Sequence, residues 1–207
     1  MELLLIRHAL PVRKELKEGI ADPELSEHGL TQAEHLGVYL ADEHLDAVYA
    51  SSLQRAQQTA MPVVRDRNVD LLIEPDVAEY DKDSPEYVPV EELKAANDPR
   101  WQQMLDGTWD PGGESHDDFH GRTVGAIERI VNEHRGQRVA IVCHGGVINA
   151  YLSEVLGLGT DRRGFFYPNY TSIHRIAAAS TGERSIVTIN ETSHLRGTGL
   201  PIGMFQG

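Results

Sequence analysis

Three segments of the chain place a cation, or a group that can become one, shortly after an apolar run. Arg7 and His8 follow LLLI, His144 follows VAIVC, and Arg55 lies a few residues beyond DAVYA. Arginine and histidine are costly to bury without a partner, so a buried strand that ends in them points to a ligand. Guanidinium and imidazole N–H groups bind oxyanions, and the four side chains together describe a pocket for a dianion such as phosphate.

The apolar runs themselves predict a central β-sheet. Its strands are predicted at Glu2–Ile6, Asp46–Ala50, Val69–Ile73 and Arg138–Cys143. LLLI and VAIVC are continuous apolar runs, which are typical of strands covered on both faces. Helical patterns alternate with the strands. This favours an α/β fold, a three-layer sandwich with a mainly parallel central sheet, helices on both faces and a small cap subdomain. Ligands of such sheets bind outside the carboxyl ends of the strands, where the cationic segments stand.

Three helices are indicated by apolar residues at helical spacing. Their apolar faces are Leu30, Ala33, Leu36 and Leu40; Val124, Ile127, Ile130 and Val131; and Val147, Ile148, Tyr151, Leu152, Val155 and Leu156. The segments SIHRIAAA and SIVTIN predict two more strands joined by a turn at STGE. Helix N-termini that follow the second and fourth strands add partial positive charge and free N–H groups beside the predicted pocket.

The stretch from Asp81 to Gly113 interrupts this alternation. It contains four prolines and two tryptophans, and it predicts short helical fragments. We expect a cap over one end of the sheet, inserted at about 81–121 into a single domain that spans 1–207. The glycine-rich tail, about 191–207, is predicted to be irregular.

The composition is that of a soluble globular protein with an acidic surface. Of 207 residues, 19 are basic and 32 are acidic, which gives a net charge of −13. Such a surface repels polyanions and excludes nucleic acid and anionic membranes as partners. Cys143, the single cysteine, cannot form an intramolecular disulfide. The apolar start is too short for a signal peptide, and no run approaches the ~18 apolar residues of a membrane helix. We therefore expect a cytoplasmic protein.

Six motifs, in order along the chain, resemble the histidine phosphatase superfamily, also called phosphoglycerate mutase-like. They are LIRHA (5–9), DPELSEHGLTQA (22–33), YASSLQRAQQTA (49–60), EPDVAEYD (74–81), GGES (112–115) and VCHGGV (142–147). The RH and HGG elements are specific when SSLQRAQQTA stands between them. The resemblance implies that His8 attacks phosphorus to form a phosphohistidine, and that Arg7, Arg55 and His144 bind the phosphoryl oxygens. It implies a small-molecule phosphomonoester as partner, without metal or other cofactor, and it allows a homodimer.

The resemblance also implies a carboxyl group that protonates the leaving alkoxide. The family places this acid after the third strand, and Glu79 in DVAEYD matches that position. Asp76, Asp81 and Asp83 stand nearby and compete with Glu79 for the role. If the cap excludes water, burial should raise the pKa of the acid.

The chain departs from the family pattern after the RH element. Many members have Gly and then Thr and Asn contacts there, whereas this chain has ALPVRK. Arg13 in this run is a candidate for attracting an anionic substrate tail, although a solvated loop charge is the better explanation. Glu114 and Ser115 are further candidates for substrate binding because the GGES turn borders the site in the family. Ser115 can also cap the following helix.

The charges of the cap favour a phosphatase over a mutase. A mutase must bind a second anionic group and keep water from the phosphoenzyme. Between Tyr80 and Gly121 the chain has eleven acidic residues but only three basic ones, Lys82, Lys94 and Arg100. It therefore offers few cations for a second anionic group. The cap also contains large apolar side chains, which can either contact an apolar leaving group or form the core of the cap: Tyr80, Tyr87, Trp101, Met104, Trp109 and Phe119.

Two other functions stay open. In HDDFH, His116 and His120 lie one helical turn apart, a spacing that can ligate zinc in a metal-dependent hydrolase. The motif lacks the glutamate placement of HExxH, and acids at a helix start have a simpler explanation in the helix dipole. The second alternative is a phosphate-binding scaffold that keeps the fold without turnover.

Overall fold

A computed structural model describes residues 1–106, 108, 113–159 and 164–203 of the chain. The strands in these residues are β1 (Glu2–Arg7), β2 (Lys14–Glu15), β3 (Ala47–Ala50), β4 (Leu71–Ile73), β5 (Glu86–Tyr87), β6 (Arg138–Cys143), β7 (Ile173–Ala178) and β8 (Arg184–Glu191). The helices are α1 (Glu27–Leu40), α2 (Gln54–Val64), α3 (Val90–Ala95), α4 (Pro99–Asp106), α5 (His116–Glu133) and α6 (Gly145–Val155). Short 3-10 helices occupy Pro75–Val77, Tyr80–Asp83 and Ser193–Leu195.

Six strands form one sheet in the order β4-β3-β6-β1-β7-β8. The first four of these strands run parallel, and β7 and β8 run antiparallel to their neighbours. The predicted mainly parallel sheet is confirmed. Arg7 of β1 pairs with Cys143 of β6, so the residues that follow, His8 and His144, leave the sheet side by side.

Helices cover both faces of this sheet, as predicted. Successive side chains of a strand point to opposite faces. In β1, Leu3 and Leu5 pack with α5 and α6, while Leu4 and Ile6 pack with α1 and α2. All four side chains are fully buried, which stabilises the fold by roughly 1.5 to 3 kcal/mol for each. None of the helices within the described residues combines the length and apolar character needed to cross a bilayer.

Two residues of the predicted apolar faces are exposed, so their prediction was wrong. Leu30 in α1 is 50% exposed, and Leu156, just past the end of α6, is 49% exposed. Gln32 takes a buried position in α1 because its side chain binds backbone groups of two loops. It accepts a hydrogen bond from Leu10 N at 2.8 Å and donates one to Pro201 O. A buried amide with partners at both ends replaces an apolar contact.

Two strands begin later than predicted. β3 starts at Ala47 rather than Asp46, and β4 starts at Leu71 rather than Val69. The Asp46 side chain accepts a hydrogen bond from Arg138 N at 2.8 Å, and Asp46 N donates to Arg138 O at 2.8 Å, so Asp46 is bound to the start of β6 just before β3 begins.

The tail is more ordered than predicted. Glu191, where irregular structure was expected to begin, is the last residue of β8, and a 3-10 helix follows at Ser193–Leu195. His194 and Leu195 of that turn are buried. Residues 196–203 contain no helix or strand, and residues 204–207 lie outside the described residues.

The segment predicted as a cap contains β5, α3, α4 and the first turns of α5. Tyr87 of β5 pairs with Lys14 of β2, which joins the cap to the loop after β1. Phe119 in α5 packs in the main core rather than within the cap. Trp109 and Gly112, which the sequence singled out, lie outside the described residues.

Candidate active site

A cavity of about 700 Å³ opens at the carboxyl edge of the parallel strands. Its base contains Arg7 and His8 at the end of β1, Arg55 in the first turn of α2 and Gly145 at the start of α6. Residues of α3 and α4 in the cap form the opposite wall. The three cationic segments therefore meet around one cavity.

His8 is held in one tautomer by the backbone. Its ring is 3% exposed, and Nδ1 lies 2.7 Å from the carbonyl oxygen of Ala9. A carbonyl oxygen only accepts, so Nδ1 donates and carries the proton of the neutral ring, which leaves a lone pair on Nε2. Burial lowers the pKa of His8 well below its ordinary value, and Arg55 and Arg7 lower this pKa further. The geometry and the charges thus favour a neutral imidazole with a nucleophilic Nε2.

Arg7 is fixed by an aromatic ring and a carbonyl group. Its guanidinium carbon lies 4.2 Å from the centre of the Tyr170 ring, and Nη1 donates to Pro168 O at 2.7 Å. Its Nε is buried without a hydrogen-bond partner among the described residues. Stacking on an aromatic face is a favourable environment for a planar guanidinium and keeps its edge free to bind.

Arg55 is 1% exposed and holds a carboxylate of the cap. Its Nη2 donates to Asp81 Oδ1 at 2.6 Å, and its guanidinium carbon lies 4.7 Å from the centre of the Tyr87 ring. Nε and Nη1 are buried, and no described residue accepts a hydrogen bond from either. Nη2 of Arg55 is thus bound to Asp81, while Nε and Nη1 have no acceptor among the described residues.

His144 lies beside His8, with 5.1 Å between the ring centres. Its Nε2 is 2.8 Å from the Ser51 hydroxyl oxygen, which already accepts a hydrogen bond from Leu53 N. The Ser51 hydroxyl can therefore donate to Nε2, which leaves the proton of a neutral His144 on Nδ1. Nδ1 is buried and has no partner within the described part of the chain. Burial and the nearby Arg55 lower the pKa of His144 well below its ordinary value.

Four buried nitrogen atoms around His8 thus lack partners in the part of the chain that the structure describes: Arg7 Nε, Arg55 Nε, Arg55 Nη1 and His144 Nδ1. Leaving a buried donor unsatisfied costs about 1 to 3 kcal/mol, and more for a charged group. Such a set is stable when a ligand with several acceptor oxygens supplies the missing bonds. We name Arg7, His8, Arg55 and His144 the phosphate pocket, because a tetrahedral oxyanion offers these acceptors.

Glu79 stands at the side of this pocket. Its Oε2 accepts a hydrogen bond from Gly146 N at 2.7 Å, and its Oε1 accepts one from Tyr80 N at 3.1 Å. Burial and the neighbouring Asp81 raise the pKa of Glu79. Gly146 must lack a side chain, because a Cβ there would collide with the Glu79 carboxylate. The HGG element thus supplies both a histidine and the space for an acid.

Comparison with known proteins agrees with this geometry. A sequence model of the histidine phosphatase superfamily (branch 1) matches residues 3–192. The chain belongs to the histidine phosphatase superfamily. It is 31% identical over 205 residues to phosphoserine phosphatase 1 of Hydrogenobacter thermophilus, with 94% of each chain covered. It is 33% identical over 162 residues to the metal-independent phosphoserine phosphatase of Arabidopsis thaliana, which covers 72% of this chain and 66% of the plant protein.

A solved structure shares the fold. A mutant phosphoserine phosphatase of Entamoeba histolytica, in complex with phosphoserine, superposes with a TM-score of 0.72 and 21% sequence identity, and it covers 94% of this chain and 98% of that chain. The family and the curated relatives together support a phosphatase.

The other three candidate acids each form an ion pair with a cationic side chain. Asp81 lines the cavity but is bound to Arg55. Asp83 pairs with Lys82 at the surface, and Asp76 lies 3.9 Å from Arg129 on α5. Of the four candidates, Glu79 and Asp81 line the cavity that contains His8, and of these two only Asp81 has an arginine bound to it among the described residues.

The three second-rank candidates do not line the cavity. Arg13 is exposed and pairs with Glu15 at 2.5 Å and Glu92 at 3.4 Å. Ser115 caps α5, because its Oγ accepts a hydrogen bond from Asp118 N at 3.1 Å.

Glu114, the last of these candidates, binds an arginine that sequence reasoning missed. Glu114 is ion-paired with Arg122 on α5. Arg122 Nη1 also donates to the carbonyl oxygens of Asp76 at 2.6 Å and Ala78 at 3.1 Å, directly before Glu79. This pair therefore supports the backbone that carries the acid.

Other supporting residues also gave no signal in the sequence. Ser51 orients His144, and Tyr170 stacks on Arg7. Tyr87, which the sequence indicated only as an apolar side chain of the cap, stacks on Arg55. Aromatic and hydroxyl side chains in loops have no periodicity that would single them out. The FFYPNY segment before β7, which supplies Tyr170, could have been noticed only for its density of aromatic residues.

The two histidines of HDDFH have separate partners. Nδ1 of His116 is hydrogen-bonded to the Tyr80 hydroxyl, and Nε2 of His120 lies 3.5 Å from Glu154. Among the described residues, no group of three or more His, Cys, Asp or Glu side chains is arranged to hold a metal ion.

Proposed function

We propose that this chain is a metal-independent phosphomonoester hydrolase that works through a phosphohistidine on His8. The observation that carries this proposal is the set of four unsatisfied buried nitrogens beside a neutral imidazole whose Nε2 holds a lone pair. Guanidinium and imidazole N–H groups supply the charge stabilisation that phosphoryl transfer requires. The names of the curated relatives agree with a phosphatase, and one of them is described as metal-independent.

The first step forms the phosphoenzyme. Nε2 of His8 attacks phosphorus in line, and the P–N bond forms as the P–O bond to the leaving alcohol breaks. Arg7, Arg55 and His144 donate hydrogen bonds to the phosphoryl oxygens as charge redistributes. Glu79 gives its proton to the leaving alkoxide oxygen. The raised pKa of Glu79 favours the protonated form that this step needs.

The second step releases phosphate. The Glu79 carboxylate takes a proton from a water molecule, whose oxygen attacks the phosphorus. The P–N bond breaks, its electron pair returns to Nε2, and His8 is again neutral. Glu79 is again protonated, so one residue serves as acid and then as base.

A labelling experiment tests this proposal. The protein is treated with EDTA and incubated with a ³²P-labelled phosphomonoester, phosphoserine being the first substrate that the relatives suggest. We expect phosphate release and a protein-bound label that is acid-labile and alkali-stable. His8→Ala should abolish the label and lower kcat by roughly 10³-fold or more. His44→Ala is the matched control, because the His44 side chain is 80% exposed.

Each alternative predicts a different result. Loss of activity in EDTA that zinc restores would favour a metal-dependent hydrolase. Transfer of the label to a phosphoglycerate rather than to water would favour a mutase. Phosphate binding without label or turnover on any phosphomonoester would favour a scaffold. Full activity in His8→Ala would contradict the assignment of the nucleophile.

A further inference from the structure

The helix α4 directs its apolar face into the cavity instead of into a core. Met104 and Leu105 follow Trp101 by three and four residues, so all three side chains lie on one face of the helix, and all three line the cavity. No residue of α4 is buried, and Leu105 is 58% exposed. We name these three residues the cap wall. An amphipathic helix normally buries its apolar face, so among the described residues the cap wall lacks the partner that its composition calls for.

The other side of the cavity is apolar as well. Phe166 and Tyr167 face the cavity from the segment before β7, and on the side of the cap wall Val88, Val90 and Leu93 extend the apolar lining. A cavity of about 700 Å³ is within the size range of sites that enclose a whole small molecule, and it is far larger than a phosphate group needs. The phosphate pocket occupies one end, so the remaining volume is available for the leaving group.

The charged residues beyond the phosphate pocket do not favour a carboxylate there. Arg100 is the one cation that lines this part of the cavity within the described residues. It is bound to Glu86 at 2.8 Å and to Asp98 at 2.8 Å, so its charge is already matched. A leaving group with a carboxylate would have to compete with both of these side chains for Arg100.

We infer that the substrate is a phosphomonoester of a bulky, uncharged alcohol with an apolar or aromatic body. This inference rests on the proposed function and names the substrate class of the same site. The phosphate binds in the phosphate pocket, and the apolar body packs between the cap wall and Phe166. Burial of that body removes apolar surface from water on both sides and gives the cap wall its missing partner.

A series of three substrates tests the inference. Their leaving groups are chosen to be similar, so that differences in rate report binding of the alcohol part. Ethyl phosphate, 2-phenylethyl phosphate and phosphoserine all release an aliphatic alkoxide, so their leaving groups are of one class. We expect kcat/KM for 2-phenylethyl phosphate to exceed that for ethyl phosphate by roughly 10- to 100-fold, the effect of burying one aromatic ring. Phosphoserine should resemble ethyl phosphate.

Trp101→Ala separates contact with the substrate from a general loss of structure. We expect the ratio of kcat/KM for 2-phenylethyl phosphate to that for ethyl phosphate to fall about tenfold, because the aromatic partner is lost. Unfolding would lower both values together and leave the ratio unchanged. Met61→Ala, at an exposed apolar residue of α2 that does not line the cavity, should keep the ratio of the unaltered protein.

The inference is overturned if phosphoserine is hydrolysed with a kcat/KM equal to or above that of 2-phenylethyl phosphate, or if Trp101→Ala keeps the ratio while its kcat/KM for ethyl phosphate stays at the value of the unaltered protein. Failure of the proposed function gives another result, since none of the three esters would then be hydrolysed and His8 would not be labelled.

Discussion

At the scale of single residues, the site consists of side chains whose neighbours decide their protonation. The carbonyl of Ala9 holds the proton of His8 on Nδ1, and the hydroxyl of Ser51 can do the same for His144. Glu79 is buried next to another carboxylate, which raises its pKa. The surroundings therefore favour the neutral forms of both rings and the protonated form of the acid, which are the forms that the first step requires.

The glycine pair after His144 gives a test of the acid with a built-in control. In Gly146→Ala the new Cβ overlaps the Glu79 carboxylate, whereas in Gly145→Ala the nearest side-chain atom is Arg7 Nε at 3.9 Å, an ordinary contact. We expect kcat for an alkyl phosphate to fall roughly 10²-fold in Gly146→Ala, the usual worth of a general acid. Gly145→Ala should lose much less. Equal losses in steady-state kinetics of the two variants would contradict the role of Glu79.

The residues that sequence reasoning could find are those that stand at the ends of strands. Arg7, His8 and His144 follow apolar runs directly, so their positions at one edge of the sheet follow from the parallel fold alone. Glu79 was found only through the family resemblance, because a loop acid has no pattern of its own. Tyr170 gave no signal, since its stacking on Arg7 depends on a loop whose path is set by tertiary contacts.

At the scale of elements, the order and type of the main strands and helices could be predicted because they follow apolar periodicity. The errors arose where a polar group takes over a backbone contact. Gln32 occupies the buried face of α1 because it binds Leu10 and Pro201, and the Asp46 side chain binds Arg138 at the residue where β3 was expected to begin. Hydrophobic patterns carry no information about such bonds, which depend on loops that are distant in the sequence.

The helix α5 also positions the acid through Arg122, which is hydrogen-bonded to the backbone just before Glu79. We expect Arg122→Gln to lower kcat for an alkyl phosphate roughly 10-fold or more, since small displacements of a reacting group are costly. The loss should be smaller for 4-nitrophenyl phosphate, whose leaving group needs no proton.

Arg129→Gln is the control on the same helix, because Arg129 pairs with Glu74 at the surface. It should keep kcat for both substrates. If Arg122→Gln lowers kcat for the two substrates equally, Arg122 does not act through the acid, and its contribution is to the fold alone.

At the scale of the whole molecule, an acidic chain encloses a cationic pocket and several buried histidines. Burial lowers the pKa of His174 to about 4. Burial also lowers the pKa of His194 to about 4, although Glu191 opposes this shift. The unfolded chain has the ordinary value of about 6.5. Between these pH values the unfolded state binds more protons, so the free energy of unfolding falls as the pH drops below about 6.5.

This linkage predicts acid sensitivity that can be measured by denaturant unfolding at pH 7 and pH 5. We expect each such histidine to contribute roughly 1 to 2 kcal/mol to the loss of stability over this range. His174→Gln should therefore show a smaller loss between the two pH values than the unaltered protein. His44→Gln, at an exposed position, should keep the original loss. An unchanged loss in His174→Gln would contradict the assignment of a depressed pKa.

The ion pair between Arg55 and Asp81 affects the release of phosphate at the end of the proposed reaction. Asp81 cancels one of the two guanidinium charges beside His8, while two other N–H groups of Arg55 stay available to an incoming ester. Orthophosphate leaves as a dianion, and a site with both charges uncompensated would retain it as firmly as it binds the ester. A carboxylate anchored in the protein weakens that retention. Asp81 therefore lowers the affinity of the site for the ester and for orthophosphate alike, which favours release of the product at the cost of weaker substrate binding.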